Sequence, residues 1–190
     1  INLGEFMLQD IVNMILDSIT PYTKINNNTL EVSIPNHPIN IYSDELKFKQ
    51  ILFNILTNAC KYSENSKVFF EIKEKVVDNI KYLSITVKDQ GIGIEKEELE
   101  DIFDPFTRVN KEKNINVEGT GLGLAICKAY VDLLGGKISV KSKLDIGTTF
   151  TCSIPFDYHS KTKITKTLDS IDTLKESNKQ SYKIFIVDDD

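Results

Sequence analysis

The most regular pattern of apolar and polar positions in this chain spans residues 48–63. Apolar residues recur there at steps of three and four, as is typical of an amphipathic helix: Phe48, Ile51, Leu52, Ile55, Leu56, Ala59 and Cys60. Such a helix is expected to bury one side against a sheet. Four polar residues fall within about a third of the circumference, beside the apolar side: Asn54, Asn58, Lys61 and Tyr62. They are either one wall of a ligand site or ordinary surface residues, and the helix alone does not decide between the two.

The same kind of pattern predicts the other regular elements. A helix is expected over residues 3–19 and to end at Pro21, and another is expected to follow the glycines of 119–123 and to run through Leu134. A short acidic helix is expected over 95–101. Strands are predicted at 30–34, 39–42, 67–77, 81–89, 137–142 and 148–154. Ser43 or Asp44 is expected to cap the central helix.

Two regions have few core-forming residues. Residues 109–118 are polar and too numerous for an idle connection in a compact domain, which predicts a mobile lid. Residues 157–181 are rich in Lys, Ser, Thr and Asp, which is typical of a linker. The last nine residues, YKIFIVDDD, have the pattern of a buried strand that ends in three carboxylates.

Composition and charge narrow the class of protein. The 190 residues suffice for one substantial core and a tail or part of a second domain. The net charge of −5 argues mildly against nucleic-acid binding, and no apolar run is long enough to span a membrane. Cys60, Cys127 and Cys152 are too widely spaced for a disulfide framework or a metal cluster. We expect a cytoplasmic domain and, because the chain begins on Ile1, a fragment of a longer protein; whether that protein is membrane-anchored stays open.

Two glycine-rich stretches carry candidate chemistry. In DQGIGI (89–94) the glycines let the backbone approach a planar ligand, and Asp89 can accept a hydrogen bond from an exocyclic amine. In GTGLGL (119–124) the glycines precede a helix, whose free N–H groups favour phosphate. Lys61 and Arg108 supply positive charge for a polyphosphate, and an Asn amide oxygen can ligate Mg²⁺. Each glycine motif alone is weak evidence, but their order after an Asn-rich helix is specific.

Four motifs in this order resemble those of the catalytic, ATP-binding domain of sensor histidine kinases, within the gyrase, Hsp90, histidine kinase and MutL superfamily. The N box resembles NILTNACKYS, the first glycine box DQGIGI, the phenylalanine box IFDPFTR and the second glycine box GTGLGLAIC. The resemblance covers residues 1–156. It implies a two-layer α/β sandwich of the Bergerat type, in which a mixed sheet of about five strands carries three helices on one face.

The resemblance also implies roles for residues in a site for ATP and Mg²⁺. Asn58 would ligate the metal, Asp89 would bond the adenine amine, and Arg108 would reach the γ-phosphate. Arg108 and Asn54 are the implied catalytic residues, Asn54 because it supports the same wall as Asn58. The implied nucleotide-binding residues are Asn58, Lys61, Tyr62, Asp89, Gly91, Gly93, Ile94, Phe103, Phe106, Gly119, Thr120, Gly121, Leu122, Gly123 and Leu124.

Some details of the motifs concern the loops. Lys61 is implied to contact phosphate, and Phe103 and Phe106 are implied to anchor the lid. The family's third glycine turn often has two glycines, whereas here Asp145 replaces the first. Asp tolerates such turns, so only the local shape is open.

The resemblance divides the chain into three parts: residues 1–156 as the catalytic domain, 157–181 as a linker and 182–190 as the truncated start of a response-regulator receiver domain. The receiver points to a hybrid kinase; the alternative is a stray strand with an acidic end. Neither His37 nor His159 lies in a phospho-accepting motif, so the phosphoacceptor and dimerisation domain is expected upstream of this chain. The intact protein is expected to be a homodimer, without nucleic-acid partners and without membrane contact by this domain.

The position of Asn54 bears on the reaction. ATP-hydrolysing members of the superfamily carry a Glu four residues before the metal-binding Asn, whereas Asn54 cannot take a proton. A neutral imidazole, with a pKa of about 6.5, is already a nucleophile, so a histidine acceptor needs no strong base to activate it. The sequence therefore favours a protein histidine kinase of a two-component phosphorelay. An ATP-hydrolysing member of the superfamily and a nucleotide-binding module without transfer activity are the alternatives.

Overall fold

The computed structural model describes residues 1–108 and 119–156. The lid predicted at 109–118, the linker predicted at 157–181 and the receiver strand predicted at 182–190 lie outside the described residues. The helices are α1 (Leu8–Ile25), α2 (Glu45–Lys61) and α3 (Gly123–Leu133), with a 3-10 turn at Lys96–Glu98. The strands are β1 (Gly4–Met7), β2 (Thr29–Ser33), β3 (Asn40–Ser43), β4 (Lys67–Val77), β5 (Ile80–Lys88), β6 (Lys137–Lys143) and β7 (Gly147–Pro155).

Five of the strands form one mixed sheet in the order β2-β4-β5-β7-β6. Strands β2 and β4 are parallel, with Leu30 opposite Val68, and the other three pairs are antiparallel. Strands β4 and β5 form a hairpin whose tight turn consists of Asp78 and Asn79, both with positive φ. The prediction of a mixed five-stranded sheet with three helices is confirmed.

One face of the sheet and one side of the central helix form the core. Alternate residues of β4 and β5 are buried, as expected for a sheet covered on one side: Val68, Phe70, Ile72, Leu83, Ile85 and Val87. The whole apolar stripe predicted for the central helix is buried, from Phe48 to Cys60. Helix α2 lies between α1 and α3 and contacts both. Its polar margin is therefore fixed in position over the carboxyl end of β5.

The N-terminal region differs from the prediction in two ways. Residues 4–7 form β1, which pairs antiparallel with β3, so the predicted helix begins only at Leu8. The helix also continues through Pro21 to Ile25. Local signals were outweighed by tertiary contacts, because the Tyr22 ring packs edge-on against Phe53 at 6.1 Å between ring centroids. The acidic helix predicted at 95–101 is reduced to the 3-10 turn.

Asp44 joins the start of the chain to the start of α2. The carboxylate is 1% exposed and caps α2 by accepting a hydrogen bond from the backbone N–H of Lys47 at 3.1 Å. It also accepts bonds from the Lys47 ammonium at 2.8 Å and from the backbone N–H of Asn2 at 2.7 Å. Burial alone would raise the pKa of Asp44, but these bonds outweigh it and lower the pKa to about 2.

No helix in the described part of the chain is both long enough and apolar enough to cross a membrane.

Candidate functional site

The polar margin of α2 forms one wall of a cavity of about 250 Å³. The other walls come from the end of β5, the start of β7, the segment before residue 109 and the first turn of α3. The lining residues are Tyr22, Phe53, Asn54, Thr57, Asn58, Ala59, Lys61, Tyr62, Asp89, Ile92, Gly93, Ile94, Ile102, Thr107, Arg108, Gly119, Thr120, Gly121, Gly123, Leu124, Thr148 and Phe150. Four sequence motifs far apart in the chain thus meet around one space.

Asp89 provides a fixed acceptor at the end of the cavity nearest the sheet. It follows the last residue of β5 and is 5% exposed. Its Oδ1 accepts hydrogen bonds from the backbone N–H groups of Gly91 and Thr148, each at 3.0 Å. Burial raises the pKa of Asp89, although these hydrogen bonds oppose the rise. Because both of these bonds involve Oδ1, Oδ2 is the oxygen with which this carboxyl can accept a bond from a ligand.

The loop after Asp89 lies directly against the end of α2. A Cβ at Gly91 would be 2.0 Å from the Tyr62 carbonyl oxygen, so no side chain fits there. The same oxygen accepts a hydrogen bond from the backbone N–H of Ile92 at 3.2 Å. The first glycine motif therefore joins β5 to the helix that carries the polar wall, as well as shaping the cavity.

The turn before β7 keeps its shape despite the replaced glycine. Asp145 has a φ of +58°, in the left-handed region that Asp tolerates. Its backbone N–H donates to the Ile92 carbonyl at 2.7 Å. The question left open by this departure from the family pattern is thus answered: the turn forms.

The opposite end of the cavity is built from side chains near helix ends. Within the described residues, the Asn58 amide has no hydrogen bond to protein and lines the cavity. The Lys61 ammonium lies 5.7 Å from the centroid of the Tyr22 ring. Arg108 lies close enough to Tyr62 to lower the pKa of that phenol, although burial is the larger effect and the pKa of Tyr62 is raised.

Asn54 is committed to contacts within the protein. Its Nδ2 donates to the Gly123 carbonyl at 3.3 Å, and its Oδ1 accepts from the Gln50 amide at 3.1 Å. A Cβ at Gly123 would be 3.8 Å from the Asn54 side chain. Asn54 therefore joins α2 to the first turn of α3, which bears the second glycine motif.

Most predicted site residues line the cavity, and four do not: Gly91, Phe103, Phe106 and Leu122. Gly91 packs behind the wall, and Leu122 is the residue before α3. Phe103 is held edge-on to Phe150 with ring centroids 6.5 Å apart. Phe106 is 73% exposed and has a φ of +65°, an uncommon conformation for a bulky residue. The roles assigned to all of these residues, lining or not, stay predictions.

The sequence reasoning missed several lining residues. Thr148 is the most informative, because its backbone N–H binds Asp89 and its hydroxyl lies 2.8 Å from that of Ser142. A signal for it was present in the sequence, because Thr148 directly follows the turn at 145–147, which corresponds to the family's third glycine turn. Tyr22 was not recognisable, since the helix was expected to end before it. The others are Phe53, Thr57, Ala59, Ile92, Ile102, Thr107 and Phe150.

The sequence of this chain is similar to those of known proteins. Residues 43–158 match the family described as histidine kinase-, DNA gyrase B-, and HSP90-like ATPase. Sensor histidine kinase RcsC of Escherichia coli K12 is 34% identical over 152 residues, which are 80% of this chain and 16% of RcsC. Sensor histidine kinase WalK of Bacillus subtilis is 42% identical over 125 residues, which are 65% of this chain and 20% of WalK.

Solved structures agree with the fold. The catalytic domain of histidine kinase ThkA superposes with a TM-score of 0.66 at 25% identity, covering 82% of this chain and 99% of that domain. Full-length ShkA in complex with AMPPNP has a TM-score of 0.69 at 24% identity, covering 82% of this chain and 31% of ShkA.

This chain belongs to the family of histidine kinase-, DNA gyrase B- and HSP90-like ATPases, and the predicted family is confirmed. RcsC and WalK are sensor histidine kinases, and the chain spans a fifth or less of the length of each.

Proposed function

We propose that this chain is the catalytic domain of a sensor histidine kinase, which binds Mg-ATP and transfers its γ-phosphoryl group to a histidine of a phosphoacceptor domain. The observation that carries the proposal is that the four motifs, spread over residues 54–127, line one cavity. ATP supplies the phosphoryl group, and the residues of this chain bind and orient it.

In this proposal the sheet end of the cavity holds the base. Adenine carries an exocyclic amine, and Oδ2 of Asp89 is an acceptor fixed in place by the two bonds that Oδ1 receives. Guanine has a carbonyl at that position, which a carboxylate would repel. The arrangement supports a preference for ATP over GTP.

The helix end of the cavity fits a phosphate chain with its metal. The described residues contain no cluster of three or more His, Cys, Asp or Glu that could hold a metal alone. Mg²⁺ commonly keeps several waters and binds through substrate phosphates with one or two protein oxygens. The Asn58 amide oxygen fits that limited demand, with Lys61 as the cation for phosphate and the glycines of 119–123 before the N-terminus of α3.

The lining of the cavity supports transfer over hydrolysis. Among the described lining residues Asp89 is the only carboxylate, and there is no histidine. Asn54 occupies the position where ATP-hydrolysing relatives carry a base, but its amide cannot take a proton. Its side chain is also held by hydrogen bonds to Gly123 and Gln50. Arg108 is the cation that we assign to the charge developing on the transferred phosphoryl group.

We extend the proposal to the organisation of the intact protein. Residues 1–156 act as the catalytic domain, 157–181 as a linker and 182–190 as the start of a receiver. The phosphoacceptor and dimerisation domain precedes residue 1, and the intact kinase is a homodimer. A cytoplasmic location of the domain follows from this arrangement.

The test is a transfer assay with this chain and, in trans, the phosphoacceptor helices encoded upstream of it in the same gene. With labelled ATP and Mg²⁺, those helices should acquire an acid-labile, base-stable phosphate, and this chain alone should neither label itself nor hydrolyse ATP appreciably. A matched control uses phosphoacceptor helices whose histidine is replaced by Ala. Rapid hydrolysis by the chain alone, or labelling of the control, would overturn the assignment.

A further inference from the structure

Three consecutive asparagines, Asn26–Asn28, follow α1, and two of them contact the end of the helix that carries the polar wall. The Nδ2 group of Asn26 donates to the carbonyl oxygens of Cys60 and Lys61 at 2.9 and 3.3 Å. The Nδ2 group of Asn28 donates to Cys60 and Ser63 at 2.9 Å each. We call Asn26 and Asn28 the asparagine pair.

These bonds satisfy groups that a helix leaves without partners. The last four carbonyl oxygens of an α-helix have no intrahelical donor. In α2 the Asn58 carbonyl is bound by the Tyr62 N–H at 3.0 Å, and the asparagine pair binds the carbonyls of Cys60 and Lys61. Beyond the helix, the pair also binds the Ser63 carbonyl.

The asparagine pair is itself held firmly. Oδ1 of Asn28 accepts from the backbone N–H of Ser66 at 3.2 Å, so both ends of this amide are used. The backbone N–H of Asn28 donates to the Thr23 carbonyl at 2.8 Å. The carbonyl of Asn26 accepts from the backbone N–H of Asn65 at 2.9 Å. Asn27 differs, because it is exposed and, among the residues that the structure describes, its side chain bonds to the Asn65 side chain alone.

The end of α2 is therefore fixed from two sides. The asparagine pair holds the carbonyls of Cys60, Lys61 and Ser63, while Ile92 of the first glycine motif holds the carbonyl of Tyr62 at 3.2 Å. Lys61 and Tyr62 lie between these anchors, and both line the cavity. A shift of this short segment would displace the ammonium and the phenol together.

We propose that Asn26 and Asn28 are positioning residues for nucleotide binding, which act by fixing the backbone of residues 60–63. They do not line the cavity, and neither residue belongs to any of the four motifs. The inference rests on the proposed binding of Mg-ATP and adds a requirement at a site outside the cavity wall.

The test uses one charge-matched pair of variants of the whole chain. Asn28→Asp replaces a donor by a carboxylate that faces two carbonyl oxygens at the negative end of a helix dipole. Asn27→Asp adds the same charge one residue away, on the exposed side chain. Titration calorimetry with Mg-ATP at about pH 7.5 should show about 10-fold weaker binding for Asn28→Asp, which is equivalent to one or two lost hydrogen bonds. For Asn27→Asp, binding should be at most about 2-fold weaker.

A pH profile tests whether the weaker binding is caused by the charge that Asn28→Asp places beside the carbonyl oxygens. Among carbonyl oxygens the introduced carboxyl should have a raised pKa, and its protonated form can donate again. The ratio of the two variants' dissociation constants should therefore shrink towards 1 between about pH 7.5 and about pH 5. Equal affinities of the two variants, or a ratio that does not change with pH, would overturn the proposal.

Circular dichroism of both variants tests whether they fold. If Asn28→Asp does not fold, Asn26→Ala decides instead, because it removes the bonds to Cys60 and Lys61 without adding charge. It should bind Mg-ATP about 3- to 10-fold more weakly, and unchanged affinity would overturn the proposal. Failure of the unmodified chain to bind would overturn the proposed function itself, whereas normal binding by all variants overturns only the role of the asparagine pair.

Discussion

The two ends of the cavity are built in different ways. At the sheet end, Asp89 is buried and accepts two backbone hydrogen bonds, and the neighbouring backbone leaves no room for a Cβ at Gly91. At the helix end, Asn58 and Arg108 reach the cavity from a helix margin and a loop, and a Cβ at Gly119 would have no atom of the described residues within 4 Å.

The difference shows which part of the site is preorganised. The sheet end is an extension of the core, so that its geometry exists before any ligand arrives. The helix end presents charges and amides on partly exposed elements next to residues outside the described part of the chain. We expect substitutions at the helix end to alter chemistry with little effect on folding, and those at the sheet end to alter both.

The largest effect is expected from Arg108→Ala. Loss of one charge-stabilising donor should lower the rate of transfer to the phosphoacceptor histidine by roughly 10²–10³-fold, with little change in ATP affinity. Arg108→Lys, which keeps the charge but loses the planar fork, should give an intermediate rate. Single-turnover labelling in trans measures both. Undiminished labelling by Arg108→Ala would remove this residue from the chemistry.

Asn58→Ala should weaken binding without disturbing the fold. Loss of a contact to the metal, worth about 1.5–3 kcal/mol, corresponds to a loss of roughly 10- to 100-fold in affinity for Mg-ATP. The gain in ATP affinity on adding Mg²⁺ should disappear, whereas Asn58→Asp, which keeps an oxygen ligand, should retain it. Calorimetry with and without Mg²⁺ provides the measurement. A variant with unchanged Mg²⁺ dependence would return Asn58 to an ordinary surface role.

Asp89→Asn should weaken ATP binding by roughly 1–3 kcal/mol, because the acceptor for the adenine amine becomes mispaired. GTP provides the matched comparison, since the substitution should reduce the preference for ATP. Calorimetry with both nucleotides measures the change. Unchanged ATP affinity would exclude Asp89 from the base site.

The same substitution has a consequence for stability without nucleotide. Burial raises the pKa of Asp89 above its value in the unfolded chain, so the folded state holds this proton more tightly. The resulting stabilisation is present at low pH and is lost as the pH rises through the raised pKa. The free energy of unfolding of Asp89→Asn, relative to the unmodified chain, should therefore increase from acid to neutral pH. Denaturant titrations across that range test the sign.

A pair of alanine substitutions compares the two ends most directly. Gly91→Ala places a Cβ against the backbone of Tyr62 and should lower the free energy of unfolding by about 1–3 kcal/mol. Gly119→Ala, where the described residues leave open space, should change it by at most about 0.5 kcal/mol. Denaturant unfolding of the two variants measures the difference. Equal stabilities would contradict the view that the sheet end is the more rigidly built of the two.

The sequence was most informative where local pattern and tertiary structure agree. The stripe on α2, the hairpin of β4 and β5 and the cap at Asp44 depend on short-range periodicity or chemistry, and the structure confirms each of them. The four motifs also placed most of the cavity wall, since nucleotide chemistry leaves a local signature of Gly, Asn and Asp.

The missed features depend on contacts between distant residues. Pro21 was expected to end a helix, but the packing of Tyr22 on Phe53 and the asparagine pair hold that helix to Ile25. The strand β1 exists because it pairs with β3, more than 30 residues later in the chain. The apolar lining, such as Phe150, carries the same alternation as any core strand, so that its position at the cavity was not recognisable.

The parallel pairing of β2 with β4 sets an order for folding. The β4–β5 hairpin closes through two residues, Asp78 and Asn79, whereas Asn28 and Ser66 at the start of the parallel pair are 38 residues apart. Because loop closure opposes distant contacts, the hairpin should form first and β2 should join later. Until then, β4 presents an unpaired edge through which nascent chains can associate. Completion of this pairing therefore covers one of the two open edges of the hairpin, and the other is covered when β7 pairs with β5.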